Sequence, residues 1–436
     1  MPQLLSICLS LVLSLTSLSL WAAVKELDAQ SYGFPLMNPF GATIAGTPTQ
    51  LMPELPDYVS IKQKDYTLRL QPERENKLPK NFWPVKNFTY RLAKQDHPAP
   101  LIFVIAGTGA HFSATSMEYL KMLFYGAGFH VVQISSPTSY DFIASAAEYA
   151  TPGFTPLDAK DIYRVMQHIQ WQQEDLPVTD YYLTGYSLGA LEAAFVDKLD
   201  QRKQLFNFKR TLLINPPVNL YASVHNLDRM VEVKLEKNDQ SQSFYDLLLE
   251  KLTQFFQNRG HLDFSQAVLY DFQKSSQRLS NADMAMLIGS QFRLFAADIS
   301  FTSDLINRRG LITPLNARIT DSTSLTPFLK KAIVCNFECY LHQQLLPFWQ
   351  IKHNGSNLDD LIAQASLPAL QDYLANSSHI AVMHNANDPI LTKGDLGFLR
   401  QTFNERLYLY PNGGHLGNLT YKVNANHMLE FLGYAK

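Results

Sequence analysis

The sequence predicts an α/β protein, with a mostly parallel, doubly wound sheet and an inserted, mainly helical cap domain. Three observations predict it. First, "APLIFVIAG" at 99–107 is a continuous apolar run ended by glycine. It is too short for most helices and has the composition of a strand buried on both faces of a parallel sheet. Second, strand-like and helix-like segments alternate from there to about residue 218, and again from 379 to 436, as a parallel sheet with crossover helices requires. Third, the alternation stops between 219 and 378, where the apolar residues fall at helical spacing. A chain of 436 residues, 46% hydrophobic, is long enough to hold a full core and an insertion of that size.

Taken in order, residues 4–23, "LLSICLSLVLSLTSLSLWAA", are uncharged, leucine-rich and end in small residues just before Lys25. Residues 1–23 therefore read as a secretory signal peptide or, left uncut, as an N-terminal membrane anchor. Either way the chain is expected to be exported, to a periplasm or to the outside. A Pro-rich, weakly patterned stretch runs to about residue 60. The first part of the core, 60–218, opens with two strands, "DYTLRL" and "NFTYRLA". Next come strand "APLIFVIAG", helix "SATSMEYLKMLFYGAG" and strand "FHVVQISSP". After a long loop, "SSPTSYDFIASAAEYATPG", the segment "TPLDAKDIYRVMQHIQWQQ" places Ile162, Val165, Met166 and Ile169 on one helical face. Strand "DYYLTG", helix "LGALEAAFVDKLD" and strand "FKRTLLINPP" complete this part. The insertion, 219–378, contains the helix-patterned "SFYDLLLEKLTQFFQ", "DFSQAVLYDFQ" and "ADMAMLIGSQFRLFAA". The second part of the core, 379–436, alternates strand "HIAVMHN", helix "TKGDLGFLRQTF", strand "ERLYLYP" and helix "NANHMLEFLGYA".

Lys and Arg total 37 against 39 Asp and Glu, for a net charge of −2. With no basic run interleaved with aromatics, nucleic acid is not an expected partner. Beyond Cys8 in the leader, the cysteines are Cys335 and Cys339 in "AIVCNFECYL". An oxidising compartment permits a disulfide between them, but four-residue spacing on a regular helix aims the thiols poorly, so bonding needs a local break. The alternative is two separate thiols on an apolar face. No histidine stands at ligand spacing from the pair, so a metal site is not expected.

The chemistry is carried by "YYLTGYSLGA" at 181–190. Ser187 lies between Gly185 and Gly189 where a strand turns into a helix. Such a turn pushes the hydroxyl beyond the strand end, needs glycines for close backbone packing, and sets the N–H of Leu188 at a helix N-terminus, where an anion is stabilised. A serine needs a base to take its proton. Of the 12 histidines, His415 in "LYLYPNGGHLGNL" is the one in a glycine-rich loop after a predicted strand, at the sheet edge where parallel α/β sheets hold their sites; His427, in a helical pattern, is the weaker candidate. Asp388 in "IAVMHNANDPIL" follows another strand, with Pro389 keeping it out of helical geometry. It would orient and stabilise the imidazole, with Asp395 and Asp228 as fallbacks.

The order Ser187, Asp388, His415 in these settings resembles the α/β-hydrolase superfamily on its serine esterase and lipase side. The resemblance covers 99–217 and 379–436 and not the insertion. It implies a Ser-His-Asp triad that cleaves a carboxylic ester through an acyl-enzyme, with no metal or organic cofactor. It also implies a second oxyanion donor from the loop after an earlier strand. Here that loop reads Ala106-Gly107-Thr108-Gly109, without the histidine that often begins it, and the N–H of Thr108 is the candidate donor beside Leu188. His111 is expected to add only polarity. An insertion at this point is where the superfamily often carries a cap, which suggests a small-molecule ester or lipid-like substrate and membrane contact through the cap or the N-terminal segment. Peptide cleavage, acyl transfer by the same triad, and ligand binding without catalysis are the competing readings.

Overall fold

The computed structural model describes residues 24–74, 86–235, 280–320 and 322–434. The leader 1–23 and the helical expectations at 243–257 and 263–273 lie outside these residues. Nine strands form one sheet: β1 (Lys25–Glu26), β2 (Gln63–Leu68), β3 (Phe88–Ala93), β4 (Ala99–Ile105), β5 (His130–Ile134), β6 (Val178–Tyr186), β7 (Arg210–Ile214), β8 (Ile380–Asn385) and β9 (Leu407–Tyr410). Their order is β1-β9-β8-β7-β6-β4-β5-β3-β2. Only the pairings of β3 with β2 and β5 are antiparallel; the other six are parallel. The core begins earlier than residue 60, because β1 pairs with β9. Two residues of strand are too short to leave a periodic signal in the sequence.

Helices cover both faces. They include α1 (Thr115–Gly126), α2 (Thr155–Gln172), α3 (Leu188–Lys203), α4 (Leu220–Leu235), α5 (Asn281–Asn307), α6 (Asp395–Phe403) and α7 (Lys422–Leu432). Every residue of β4 is buried. Its alternate side chains point to opposite faces: Phe103 and Ile105 pack with Ile162, Val165, Met166 and Ile169 of α2, while Ile102 and Val104 pack with Leu120 and Phe124 of α1 and Met428 of α7. That two-sided burial is why the strand reads as an unbroken apolar run. The loop expected at 135–153 contains a short helix, Tyr140–Ser145.

Between β7 and β8 the described residues carry helices and no strand. Helix α5 starts at a capping box in which Ser280 and Asp283 satisfy each other's backbone N–H groups. It runs ten residues past the apolar pattern at 282–297, because Ile299, Phe301 and Asp304 are also buried. Gly289 lets α5 approach α4, where a Cβ would stand 2.7 Å from Val231 and 2.9 Å from the Leu227 carbonyl. Cys335 and Cys339 form a disulfide with Cα atoms 5.1 Å apart. The bond sits at the break between the helices Thr326–Ile333 and Phe337–Tyr340, which supplies the irregularity that four-residue spacing requires. Among the described residues no helix is long and apolar enough to cross a membrane.

Three acids are buried where α2 meets α3: Asp158, Asp161 and Glu192. Neither oxygen of Glu192 has a hydrogen-bond partner. Burial, with the charges of Asp158 and Asp161 adding to it, pushes the Glu192 carboxyl well above its ordinary value, and burial likewise pushes Asp161 up to about 6. The folded chain therefore keeps protons that the unfolded chain has lost, so stability falls as pH rises from the ordinary carboxylate range, about 4, through 6 and above. Glu192→Gln, which has the same shape and no proton to lose, is expected to raise Tm by about 2–4 °C at pH 8 and little at pH 4.5, read by thermal denaturation at the two pH values.

Candidate active site

Strand β6 ends at Tyr186 and α3 begins at Leu188, leaving one residue for the turn. Ser187 makes it with φ 53 and ψ −126, a left-handed φ that a side chain normally avoids and that surrounding structure must hold. Its N–H donates to the Ile214 carbonyl at the tip of β7, 2.9 Å away. The glycines on either side are required by contact. A Cβ on Gly185 would stand 2.2 Å from the Gly189 carbonyl oxygen, and one on Gly189 would stand 2.3 Å from that of Ile105. Leu188 opens the helix, so its N–H has no partner within it.

The loop after β9 brings His415 over this turn. Its Nε2 is 2.9 Å from Ser187 Oγ and its Nδ1 is 2.8 Å from Asp388 Oδ2. A carboxylate only accepts, so the proton between His415 and Asp388 is on Nδ1, and Nε2 is the free base that accepts the serine hydroxyl. Asp388 comes from the loop after β8, where its second oxygen accepts the N–H of Ile390 at 3.1 Å. Ser187 and His415 are each 7% exposed and Asp388 5%. Burial alone would raise the Asp388 carboxyl. The charge and hydrogen bond of His415 and the Ile390 N–H outweigh it and hold the group below its ordinary value.

The remaining candidates stand elsewhere. Asp395 Oδ2 accepts the Thr392 N–H and hydroxyl at the start of its own helix. Asp228 accepts the N–H groups of Phe337 and Glu338. His427 Nδ1 pairs with the Tyr410 hydroxyl. His111 lies on the loop after β4, with Nδ1 2.9 Å from Ser113 Oγ and Nε2 3.6 Å from Asp141. Among the described residues no group of three or more His, Cys, Asp or Glu is placed to hold a metal ion.

The loop after β4 packs directly on the serine turn. A Cβ on Gly107 would stand 2.8 Å from the Tyr186 ring and 3.2 Å from Ser187 Cβ. Gly109, at φ +66, lies under the Phe295 ring of α5, and its N–H donates to Thr138 Oγ1 at 2.8 Å. Thr108 and Leu188 both line a cavity of about 50 Å³. Leu220, Val224, Ile299, Phe337 and Leu345 line its length. Its two phenols are already bonded, Tyr221 to the Gly153 carbonyl and Tyr340 to that of Pro152. Thr138, Pro152 and Gly153 bring the long 135–153 segment to the same wall.

Three supporting residues escape a motif reading. Thr43 Oγ1 accepts the His415 N–H at 2.8 Å, from a short helix, Pro39–Ala45, in the stretch that shows no pattern. Gly414, at φ +58, allows that helix in, since a Cβ would stand 2.1 Å from the Pro39 carbonyl oxygen. The signal for the helix is Asn38-Pro39, an N-cap followed by proline at the first position. Asn215 and His384 flank Asp388 from the ends of two strands, and no spacing rule marks them.

No family model matches the chain, and no curated protein does. Solved structures similar to it include an esterase of Pyrococcus furiosus, Pf2001, at 11% identity and TM-score 0.41 over 90% of this chain and 97% of that one. Est1E of Butyrivibrio proteoclasticus is 12% identical, with TM-score 0.35 over 80% and 95%. The peroxisomal α/β-hydrolase Lpx1 of Saccharomyces cerevisiae is 15% identical, with TM-score 0.42 over 86% and 91%. The chemistry of the site is read from its own side chains. The sheet and its strand-to-helix turn at Ser187 are those of the α/β-hydrolase fold.

Thr43→Val keeps the shape of the side chain but leaves the His415 N–H without its acceptor. It is expected to cost about 1–2 kcal/mol in chemical denaturation and to lower turnover, with Thr43→Ser close to the parent in both.

Proposed function

We propose that the chain is an exported serine hydrolase that cleaves a small carboxylic ester with an apolar acyl group. The observation that carries this reading is the unbroken relay from Ser187 Oγ to His415 Nε2 and from His415 Nδ1 to Asp388, at 2.9 and 2.8 Å. Ser187 attacks the ester carbon as His415 takes its proton. The backbone N–H groups of Leu188 and Thr108 hold the oxyanion, and His415 then protonates the departing alcohol. Water, losing a proton to the same imidazole, releases the acid from the acyl-serine. No step calls for a metal or an organic cofactor.

The cavity beside Leu188 and Thr108 supports the acyl assignment. Its walls are aliphatic and aromatic, and its phenols are occupied. An apolar acyl group suits that lining better than a polar one. Export rests on the 1–23 leader, whose cleavage N-terminal sequencing of the mature protein would read.

A fluorophosphonate is expected to label the parent at Ser187, and Ser187→Ala is expected neither to label nor to turn over. Asp388→Asn should lower kcat about 10³–10⁴-fold while the fold is kept. Among p-nitrophenyl esters, Ile299→Phe, which fills the cavity, should suppress butyrate before acetate. Folded parent protein that neither labels nor hydrolyses these esters would overturn the proposal. Faster cleavage of amides, or faster transfer to an added alcohol than to water, would assign the same triad to the peptidase or acyltransferase reading.

A further inference from the structure

Asn215 directly follows β7 with φ 47, in left-handed backbone. Its N–H donates to the Met383 carbonyl of β8 at 2.8 Å, so the residue ties together the tips of neighbouring strands. Its side-chain amide donates to Asp388 Oδ2 at 3.0 Å, the oxygen that takes the His415 Nδ1–H. Both residues are buried, Asn215 at 3% exposure. The next carbonyl, Pro216, accepts the His384 Nε2–H at 3.0 Å, and His384 Nδ1 accepts the Asn385 N–H at 2.9 Å. These two bonds settle the His384 tautomer as neutral, with Nδ1 4.0 Å from Asp388 Oδ2. The groups facing the Asp388 carboxylate are thus the His415 imidazole, the neutral His384 ring, the Ile390 N–H and the Asn215 amide.

The residue type at 215 is constrained twice. Glycine, asparagine and aspartate are the residues that visit left-handed backbone readily. Glycine has no donor, and aspartate would set one carboxylate against another. Asparagine meets both the backbone and the bonding requirement.

We propose that Asn215 is a positioning residue for the reaction, whose amide aims Asp388 Oδ2 at His415 Nδ1 and keeps the carboxylate in its ionised form. The inference rests on the reading of Ser187, His415 and Asp388 as the catalytic triad. Asn215 does not line the acyl cavity, so its effect falls on the chemical step and leaves substrate binding alone.

Two variants test this in the full chain with a p-nitrophenyl ester. Asn215→Gly removes the amide while keeping the left-handed backbone free of strain. It is expected to lower kcat about 10–100-fold, to leave KM within about threefold, and to slow fluorophosphonate labelling of Ser187 in proportion. Asn215→Asp places a second carboxyl against Asp388, and the two share one proton until the pH is high enough to remove it. The acid limb of kcat/KM is expected to move up by one pH unit or more. The parent pH profile in Asn215→Asp, with parent kcat in Asn215→Gly, overturns the inference while the triad stands. So does a loss in Asn215→Gly accompanied by a lowered Tm when the Asn215→Asp profile does not move. A parent enzyme that neither labels nor hydrolyses overturns the triad reading, and this inference with it.

Discussion

The close approach between the first turn of α3 and the strand tips beneath it conditions the rest of the site. The Gly189 Cα faces the carbonyls of Ile105 and Ala106, and a Cβ there would stand 2.3 and 2.5 Å from their oxygens. That contact leaves a single residue to reverse the chain, so Ser187 takes a left-handed φ with its hydroxyl pointing away from the sheet. The local conformation is unfavourable by of order 1–3 kcal/mol, and β6, buried from Tyr182 to Tyr186 and paired on both edges, holds it.

Once the serine is fixed, the surrounding charges follow from burial. Asp388 and Glu192 are both removed from water, yet they end in opposite states. Asp388 has the charge and hydrogen bond of His415 and the N–H of Ile390, which outweigh its desolvation and favour the anion. Glu192 has no donor at either oxygen, and burial pushes its carboxyl well above its ordinary value. In these two groups the charge and donors directed at the carboxyl separate the directions of the shift at similar depth.

The insertion and the N-terminal stretch complete the site from outside the sheet. Helix α5 lays Phe295 against Gly109 and Ile299 along the cavity. The disulfide-closed turn that carries Phe337 forms another wall, and its backbone is held by Asp228. The helix Pro39–Ala45 packs beside α5, with Asn38 bonded to Asn281, and seats the His415 loop. Side chains far apart in sequence therefore set the access to a serine whose own environment is local.

The sequence by itself determined the parts whose physics is local or periodic. The two-sided burial of β4 appears as an unbroken apolar run, the α2 face appears at three- and four-residue spacing, and the turn at Ser187 needs its two glycines within four residues of each other. The places of Asp388 and His415 after later strands follow from the same alternation. Only the tertiary structure decided that Thr43 holds the His415 backbone, that Asn215 and His384 frame Asp388, and that Phe295 covers Gly109. Each of these is a contact across 170 or more residues of chain, apart from His384, whose ties run to Asp388 and Pro216 from adjacent strands. Such contacts leave no period and no motif in the sequence, because they depend on which strand tips and loops the folded sheet brings together.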